Sequence, residues 1–450
     1  MQLPQEFLER MKTLLGGEFD DFLKSYEEKS VQGLRVNTEK ISVEDFQKLV
    51  PFHLEQIPWT ENGFYTEETD AVTKHPYYYA GLYYVQEPSA MLPAALLEAE
   101  PGDKILDLCA APGGKATELG SRLHRKGLLV ANDISHSRAK ALLKNLELNG
   151  IGNVFVCSEE PDKLSDIYED FFDKILVDAP CSGEGMFRRD SSLIKAWLEH
   201  GPEYYAEIQK RILDAAVKML KWGGKMVYST CTFSPEEDEG IVRYICENHK
   251  DMEVIYTEAG ETGRRLFPHR VKGEGHFAVI LQKRSFETKQ LTADTTTRPL
   301  TDFHFSKKAA DFKEWESFCK ESLDMDFDGW KIFELEDRFY ALPEHADIKK
   351  KIRYLRTGLL LGERKKNRFE PSQALAMFLK AREAKSILSL KCDDDRVKRY
   401  LKGETLEVPE AEEQNLKGWT LICVDDYPLG WGKYVNGTMR NKYYPGWRIM

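Results

Sequence analysis

The sequence predicts an α/β protein: a parallel, Rossmann-like sheet in the middle of the chain, with smaller units before and after it. Three observations predict it. Between about residues 88 and 285, short apolar runs alternate with amphipathic helical stretches, the pattern of strands joined by crossover helices. At 450 residues the chain is longer than one ordinary core organises,. The style of the sequence also changes on both sides of the alternating block, to turn-rich and tyrosine-rich before it and to polar, then strand-rich and turn-rich, after it.

Residues 1–87 form the first unit. They combine short amphipathic helical patterns with a turn-rich segment and close on the aromatic run at 77–84, which fits a plain core as well as an RNA-facing surface. The alternating block, 88–285, opens with a strand at Lys104-Ile-Leu-Asp-Leu, a glycine turn and a helix starting near Lys115. Gly127 to Asp133 is the second strand. Ser135 caps a helix whose Ala139, Leu142, Leu143 and Leu146 share one face, and Gly150 stops it,. Asn153-Val-Phe-Val-Cys is the third strand and 174–178 the fourth. A long helix is expected over 202–222, ended by Gly223-Gly224, then a fifth strand over Lys225 to Cys231. Pro235 is expected to open a further helix with acids at its N-terminal end. A last strand starts at His276. Residues 286–300 read as a linker, 301–380 as a small α+β domain, and 381–450 as a strand- and turn-rich domain,.

Composition narrows the function classes. With 42% hydrophobic and 31% charged residues, and no apolar run near the roughly 20 residues that span a bilayer, a soluble protein with no membrane partner is expected. The first thirty residues mix acids and bases without an apolar segment, so no signal peptide is expected and the location reads as cytoplasmic. The eight cysteines contain no Cys-x-x-Cys pair, so neither structural zinc nor a disulfide framework has its spacing, and no metal is expected. The net charge of −11 argues against indiscriminate coating of nucleic acid,. It leaves room for a local track, and 349–368, with nine Lys/Arg and one acid, fits either that or a solvated basic face.

Ligands of open α/β sheets sit at the carboxyl ends of strands, and four such ends here carry unusual residues. The first continues into Cys109-Ala110-Ala111-Pro112-Gly113-Gly114-Lys115, a turn that lets a ligand approach the backbone above a helix start,. The second ends in Asp133, 20 residues beyond Gly113, where a carboxylate can grip ribose hydroxyls,. Neither G-x-G-x-x-G nor G-x-x-x-x-G-K-[ST] is present. A glycine turn and a ribose acid without a pyrophosphate cradle fit S-adenosylmethionine better than NAD. The fourth strand ends in Asp178-Ala-Pro-Cys181 and the fifth in Ser229-Thr-Cys231. If these strands are neighbours, two thiols and a carboxylate converge. Most cysteines in such folds are small buried hydrophobes, the reading adopted for Cys157 and Cys246. Two thiols beside a methyl donor suit a different chemistry. Cytosine C5 is too weak a nucleophile to take a methyl group unaided, and a thiolate adding at C6 makes it enamine-like.

The four stretches LDLCAAPGGK (106–115), LVDAPCSGEGMFRR (176–189), YSTCTFSPEEDE (228–239) and RLFPHRVKGEGHF (265–277) resemble, in order, the motifs of the NOL1/NOP2/Sun family of RNA cytosine-C5 methyltransferases. The resemblance spans roughly 86–284. It implies a class I S-adenosylmethionine-dependent fold, Cys231 as nucleophile, Cys181 as the thiol that assists product release, and Asp178 as the contact to cytosine N3. It places the cofactor on 109–115, Asp133, Arg138 and Asp178. Relatives carry an Asp near adenine after the third strand; here the stretch is Cys157-Ser-Glu-Glu-Pro, and Glu160 is the nearest candidate. The ends of the chain resemble the RsmF-type group, with an N-terminal RNA-binding-type region and two C-terminal domains, the last PUA-like. Within 428–448, aromatics interleave with Lys433, Arg440, Lys442 and Arg448, a pattern that fits RNA binding or a small barrel core with surface charges. The implied substrate is 16S ribosomal RNA of the small subunit, free, in the 30S subunit or in a precursor. Two rival classes are a methyltransferase acting on an exocyclic amine, which needs no thiol, and a non-catalytic RNA-binding assembly protein.

Overall fold

The computed structural model describes residues 3–255, 263–285, 312–343, 346–366 and 368–449; the expected linker at 286–300 lies outside them. The central sheet contains strands β1 (Lys104–Asp107), β2 (Leu128–Asn132), β3 (Val154–Cys157), β4 (Phe172–Asp178), β5 (Leu220–Thr230), β6 (Met252–Ile255), β7 (Arg264–Leu266), β8 (His276–Lys283) and β9 (Tyr354–Thr357). Their order is β6-β8-β5-β4-β1-β2-β3-β9, with β7 also on β8. Strands β1 to β5 pair in parallel. Strand β2 is buried along its whole length and so is β3, which is why both read as unbroken apolar runs rather than alternating ones. Because β1 lies between β2 and β4, the chain reverses its direction of travel across the sheet there, and the crevice above those strand ends is where a ligand fits.

Helices α1 (Gly114–Arg122), α2 (His136–Leu148), α3 (Ser192–Met219) and α4 (Glu239–Asn248) cover the sheet. Two expectations need correction. The long helix begins at Ser192 and bends at Gly201, where φ is 70° and ψ 170°; the chain is already in β5 from Leu220, so Gly223-Gly224 lie in the strand and do not end the helix. Pro235 does not open α4. Residues 235–238 form a turn, and Glu237 and Asp238 are fully buried. Their carboxylates take tertiary donors instead of the helix end: Glu237 accepts from the Ser182 N–H and from Gln209, each at 2.9 Å, and Asp238 accepts from Thr230 at 2.7 Å and Arg265 at 2.6 Å.

The flanking units are fastened to this sheet. A four-stranded antiparallel sheet near the N-terminus contains Gln32–Val36 and Tyr83–Gln86. The buried Arg35 on it pairs with Glu118 at 2.8 Å and donates to the Gly114 carbonyl at 2.7 Å. Asn37 donates to the carbonyls of Gly81 and Asn149. Tyr77 and Tyr83 of the aromatic run are core residues. Between the central sheet and the last unit, Trp330–Leu335, Arg338–Pro343, Leu359–Lys365 and Arg368–Pro371 form another antiparallel sheet. Its neighbour β9 pairs antiparallel with β3, so this part of the chain extends the central sheet. The basic stretch is partly consumed in that docking. Arg353 donates to the Ser158 carbonyl at 2.9 Å, Arg356 pairs with Glu147 at 2.7 Å and Arg364 with Glu334 at 3.1 Å.

The last unit is a five-stranded sheet whose core merges with that of the N-terminal unit: Phe46, Phe64 and Tyr83 pack in one cluster with Val397, Tyr400 and Met439. The aromatics of 428–448 divide between roles. Trp431 and Tyr443 are buried in the core, whereas Tyr444 is exposed, and Lys433 and Lys442 lie over the Trp419 ring at 5.8 and 5.9 Å. Among the described residues, no helix is long and apolar enough to cross a membrane, and no group of three or more His, Cys, Asp or Glu could hold a metal ion.

Candidate active site

A cavity of about 610 Å³ opens above the carboxyl ends of β1, β2 and β4 and the loop after β3. Cys109, Ala111, Asp133, Arg138, Glu160, Asp178, Cys181 and Cys231 all line it. The remaining members of the expected set stand behind that wall. Ala110 is buried, its N–H donating to the Asn132 carbonyl at 2.7 Å. Pro112, Gly113 and Gly114 turn the chain into α1. Gly113 has φ +117°, and a Cβ there would meet Leu142 at 3.3 Å and Asn145 at 3.4 Å. Glycine is therefore required for the left-handed turn and for the packing of α2, rather than for the approach of a ligand.

At one end of the cavity Asp133 is buried, takes the Ser135 N–H at 2.9 Å and lies 3.4 Å from Arg138, which also donates to the Ala111 carbonyl at 2.7 Å. After β3, Glu160 is exposed and lines the cavity. Its neighbour Glu159 is buried and turned away, accepting from Lys163 at 2.7 Å and from the Arg353 N–H at 2.6 Å. Beneath this end lies Asp107, fully buried, with neither carboxyl oxygen hydrogen-bonded. Burial, reinforced by Asp178, pushes it up to about 8, so the protonated form is favoured at neutral pH. Burial likewise pushes the Cys109 thiol up, which makes it a wall residue and not a nucleophile.

At the other end Asp178 gathers three partners. Lys115 Nζ lies 2.6 Å from Oδ2, Ser229 donates to Oδ1 at 2.8 Å, and His276 Nε2 lies 3.3 Å from Oδ1. Burial would raise this carboxyl, but Lys115 and His276 outweigh it and hold the group below the usual carboxylate range. Cys181 and Cys231, fifty positions apart, bring their sulfurs to 3.3 Å. The contact with Cys231, then burial, raises the Cys181 thiol, which keeps its proton on Cys181.

A buried frame holds the two thiol loops at this distance. Ser182 and Thr232, each one residue past a thiol, bond at 2.7 Å. Ser182 is held by Glu237 through both its N–H and its hydroxyl, and Gln209 of α3 ties Glu237 to the Pro180 carbonyl. Burial lifts Glu237 to about 7 against these donors. A second clamp centres on Glu184, whose side chain is fully buried. It accepts from Trp197 at 2.8 Å, from the Phe233 N–H at 3.2 Å and from Arg10 of the N-terminal helix Gln5–Leu15. Gly185 N–H donates to the Cys231 carbonyl at 2.9 Å. Ser229, His276, Glu237, Glu184 and Arg10 were not identified from sequence. Their partners lie from 13 to 174 positions away, mostly about fifty or more, and no local spacing announces such contacts.

The cavity suits S-adenosylmethionine. Leu108, Ala111, Ile134, Ile208 and Ile212 supply apolar walls, and carboxylates stand at both ends, Asp133 with lone pairs left to accept from a diol and Asp178 paired with Lys115,.

The chain matches four family models in succession: the N-terminal domain of 16S rRNA methyltransferase RsmF over 3–88, 16S rRNA methyltransferase RsmB/F over 94–282, the RsmF rRNA methyltransferase first C-terminal domain over 317–379, and the methyltransferase RsmF PUA domain over 388–449. It is 30% identical over 443 residues to the ribosomal RNA small subunit methyltransferase F of Shewanella oneidensis, covering 94% of this chain and 92% of that one. It is 29% identical over 467 residues to the enzyme of the same name from Vibrio vulnificus, covering 98% and 96%. Among solved structures it resembles a methyltransferase homolog protein from Pyrococcus horikoshii, with 31% identity, a TM-score of 0.55 and coverage of 62% of this chain and 95% of that one. NSun6 from the same organism, at 24% identity and a TM-score of 0.53 over 62% of this chain and 98% of that one, shares the fold.

Proposed function

Since the chain belongs to the family of ribosomal RNA small subunit methyltransferase F, we propose that it methylates cytosine C5 through a Cys231 adduct. It is an rRNA methyltransferase whose methyl donor is S-adenosylmethionine. The finer reading is supported above all by the 3.3 Å contact between two thiols beside Asp178. A methyltransferase acting on an exocyclic amine has no use for that pair, and a non-catalytic assembly protein has no use for the buried frame that holds it.

In this reading the target cytosine is unpaired or flipped out, because a duplex hides C5 and C6. Cys231 reacts as the thiolate, and the Cys181 thiol lies 3.3 Å from its sulfur. That thiolate adds to C6; the S–C6 bond forms and the C5=C6 electron pair moves to C5. Asp178 stands at the N3 edge of the ring, where a proton relayed from Lys115 through its carboxylate meets N3 as the adduct forms and returns when the ring is released. Asp133, with the turn at 109–115, Arg138 and Glu160, would hold the cofactor, which when bound supplies an electrophilic methyl group on a sulfonium. With the methyl group on C5, water in the cleft takes the C5 proton, the C5–H pair re-forms C5=C6 and the S–C6 pair leaves on the Cys231 sulfur, with the Cys181 thiol beside it to assist this release. The substrate is small-subunit rRNA, free, in the 30S subunit or in a precursor, met in the cytoplasm, with the N-terminal and PUA-like units contributing RNA contacts.

Incubation with labelled cofactor and 16S rRNA tests the proposal. Label is expected at cytosine C5, and label elsewhere or none at all would sink it. Cys231→Ala should abolish transfer. Cys181→Ala should accumulate a denaturation-resistant protein–RNA adduct, and failure to trap one would remove Cys181 from the release step.

A further inference from the structure

Helix α3 walls the cavity with Ile208, Arg211 and Ile212. These positions continue a stripe that starts at Tyr204, since 204, 208, 211 and 212 follow the i, i+4, i+7, i+8 spacing of one helical face. Tyr204 thus lies one turn before Ile208 on the helical face that walls the cavity,. It is 50% exposed. The bend at Gly201 brings His200 against it, with ring centroids 4.7 Å apart and planes 23° from parallel, and Tyr205 meets Tyr204 edge-on at 5.3 Å. Arg211 is exposed and forms no ion pair among the described residues. Arg138, the other arginine of the cavity, is held by Asp133 and a backbone carbonyl.

An exposed aromatic stack one helical turn from the cavity wall, on the same helical face as an uncommitted guanidinium, matches the chemistry of single-stranded nucleic acid. Extruding a target base costs its neighbours their stacking partner, and an aromatic platform replaces that partner whatever the base. We infer that the Tyr204–His200 stack is a ledge for the unpaired nucleotide next to the target cytosine, with Arg211 meeting a phosphate of the same strand. The inference rests on the functional reading above, which puts RNA in this cleft.

Two measurements on the full chain separate them: equilibrium binding of a 16S rRNA transcript, and steady-state methyl transfer to it. The double variant His200→Ala/Tyr204→Ala should weaken RNA binding and raise KM for RNA about tenfold, with kcat and cofactor binding within about twofold. Tyr204→Phe should restore binding, since stacking needs the ring and not the hydroxyl. Arg211→Met should weaken binding and flatten its dependence on salt by about one phosphate contact. Unchanged RNA affinity in the double variant, or a loss confined to kcat, would overturn the ledge. Wild-type protein that binds the transcript without labelling C5 would overturn the functional reading alone, because the binding measurement still reports on the ledge.

Discussion

The two ends of the cleft are built differently. At the cofactor end, Cys109, Asp133 and Glu160 each follow their own strand within three residues, and most of what places them is short in sequence: Ser135 N–H on Asp133, a glycine turn into α1, a proline after Glu160, with Arg353 on the loop after β3 the distant exception. At the thiol end every group is placed by partners far along the chain. Asp178 depends on Lys115, Ser229 and His276, and the two thiol loops depend on Glu237, Gln209, Glu184 and Arg10. A strand-end binding site can be carried by local segments. A site that must hold two sulfurs 3.3 Å apart needs rigid struts from several elements, and here it takes buried charges to supply them.

Substitutions at the thiol end should therefore reach further than those at the cofactor end. The largest expected effect is at Asp178. Asp178→Asn removes the charge that Lys115 and His276 face, and kcat/KM for methyl transfer should fall on the order of 10²–10³-fold. Near-normal turnover would break the claim that this carboxylate organises the thiol end. Next comes the N-terminal clamp. Arg10→Met strands the buried Glu184 carboxylate, and urea unfolding should show a loss of about 3–5 kcal/mol. The companion Arg10→Met/Glu184→Gln, which leaves no unpaired charge, should recover much of it. Equal losses in the two proteins would mean that Arg10 acts through packing alone.

The smallest effect is expected beneath the cofactor end, at Asp107. Its pKa rises from an ordinary 3.8 to about 8 on folding, so between those values the folded state holds a proton that the unfolded chain has released. This contribution to stability is fully present below pH 3.8 and is lost as pH rises through about 8, with a slope of about 1.4 kcal/mol per pH unit. Asp107→Asn should flatten the stability–pH curve over that window while leaving cofactor affinity within a few-fold. An unchanged curve would show that Asp107 stays ionised and has a partner in solution.

The same division explains what could be read in advance. The parallel block, its strand ends and the residues on them were legible because β2 and β3 are buried on both faces and so carry unbroken apolar runs. The order of motifs in the chain matched the order of strand ends around the cleft. The start of α4 and the extent of α3 were misread. Local signals at Pro235 and Gly223-Gly224 compete there with tertiary donors to Glu237 and with the early start of β5, and the tertiary terms win. The basic stretch at 349–368 was ambiguous because arginine serves docking and RNA equally well in one dimension; Arg353 and Arg356 turn out to fasten β9 to its neighbours.

By itself the sequence determined the α/β class, the methyl-donor type of strand-end turn and the identity of the paired thiols, since each is a property of contiguous residues. Only the tertiary structure decided that β4 and β5 are neighbours, that the Cys181 and Cys231 sulfurs meet, that Glu160 and not Glu159 faces the cavity, and that Arg10 braces the thiol loops. Those outcomes depend on burial and on charges brought together from distant positions, and a linear pattern carries neither.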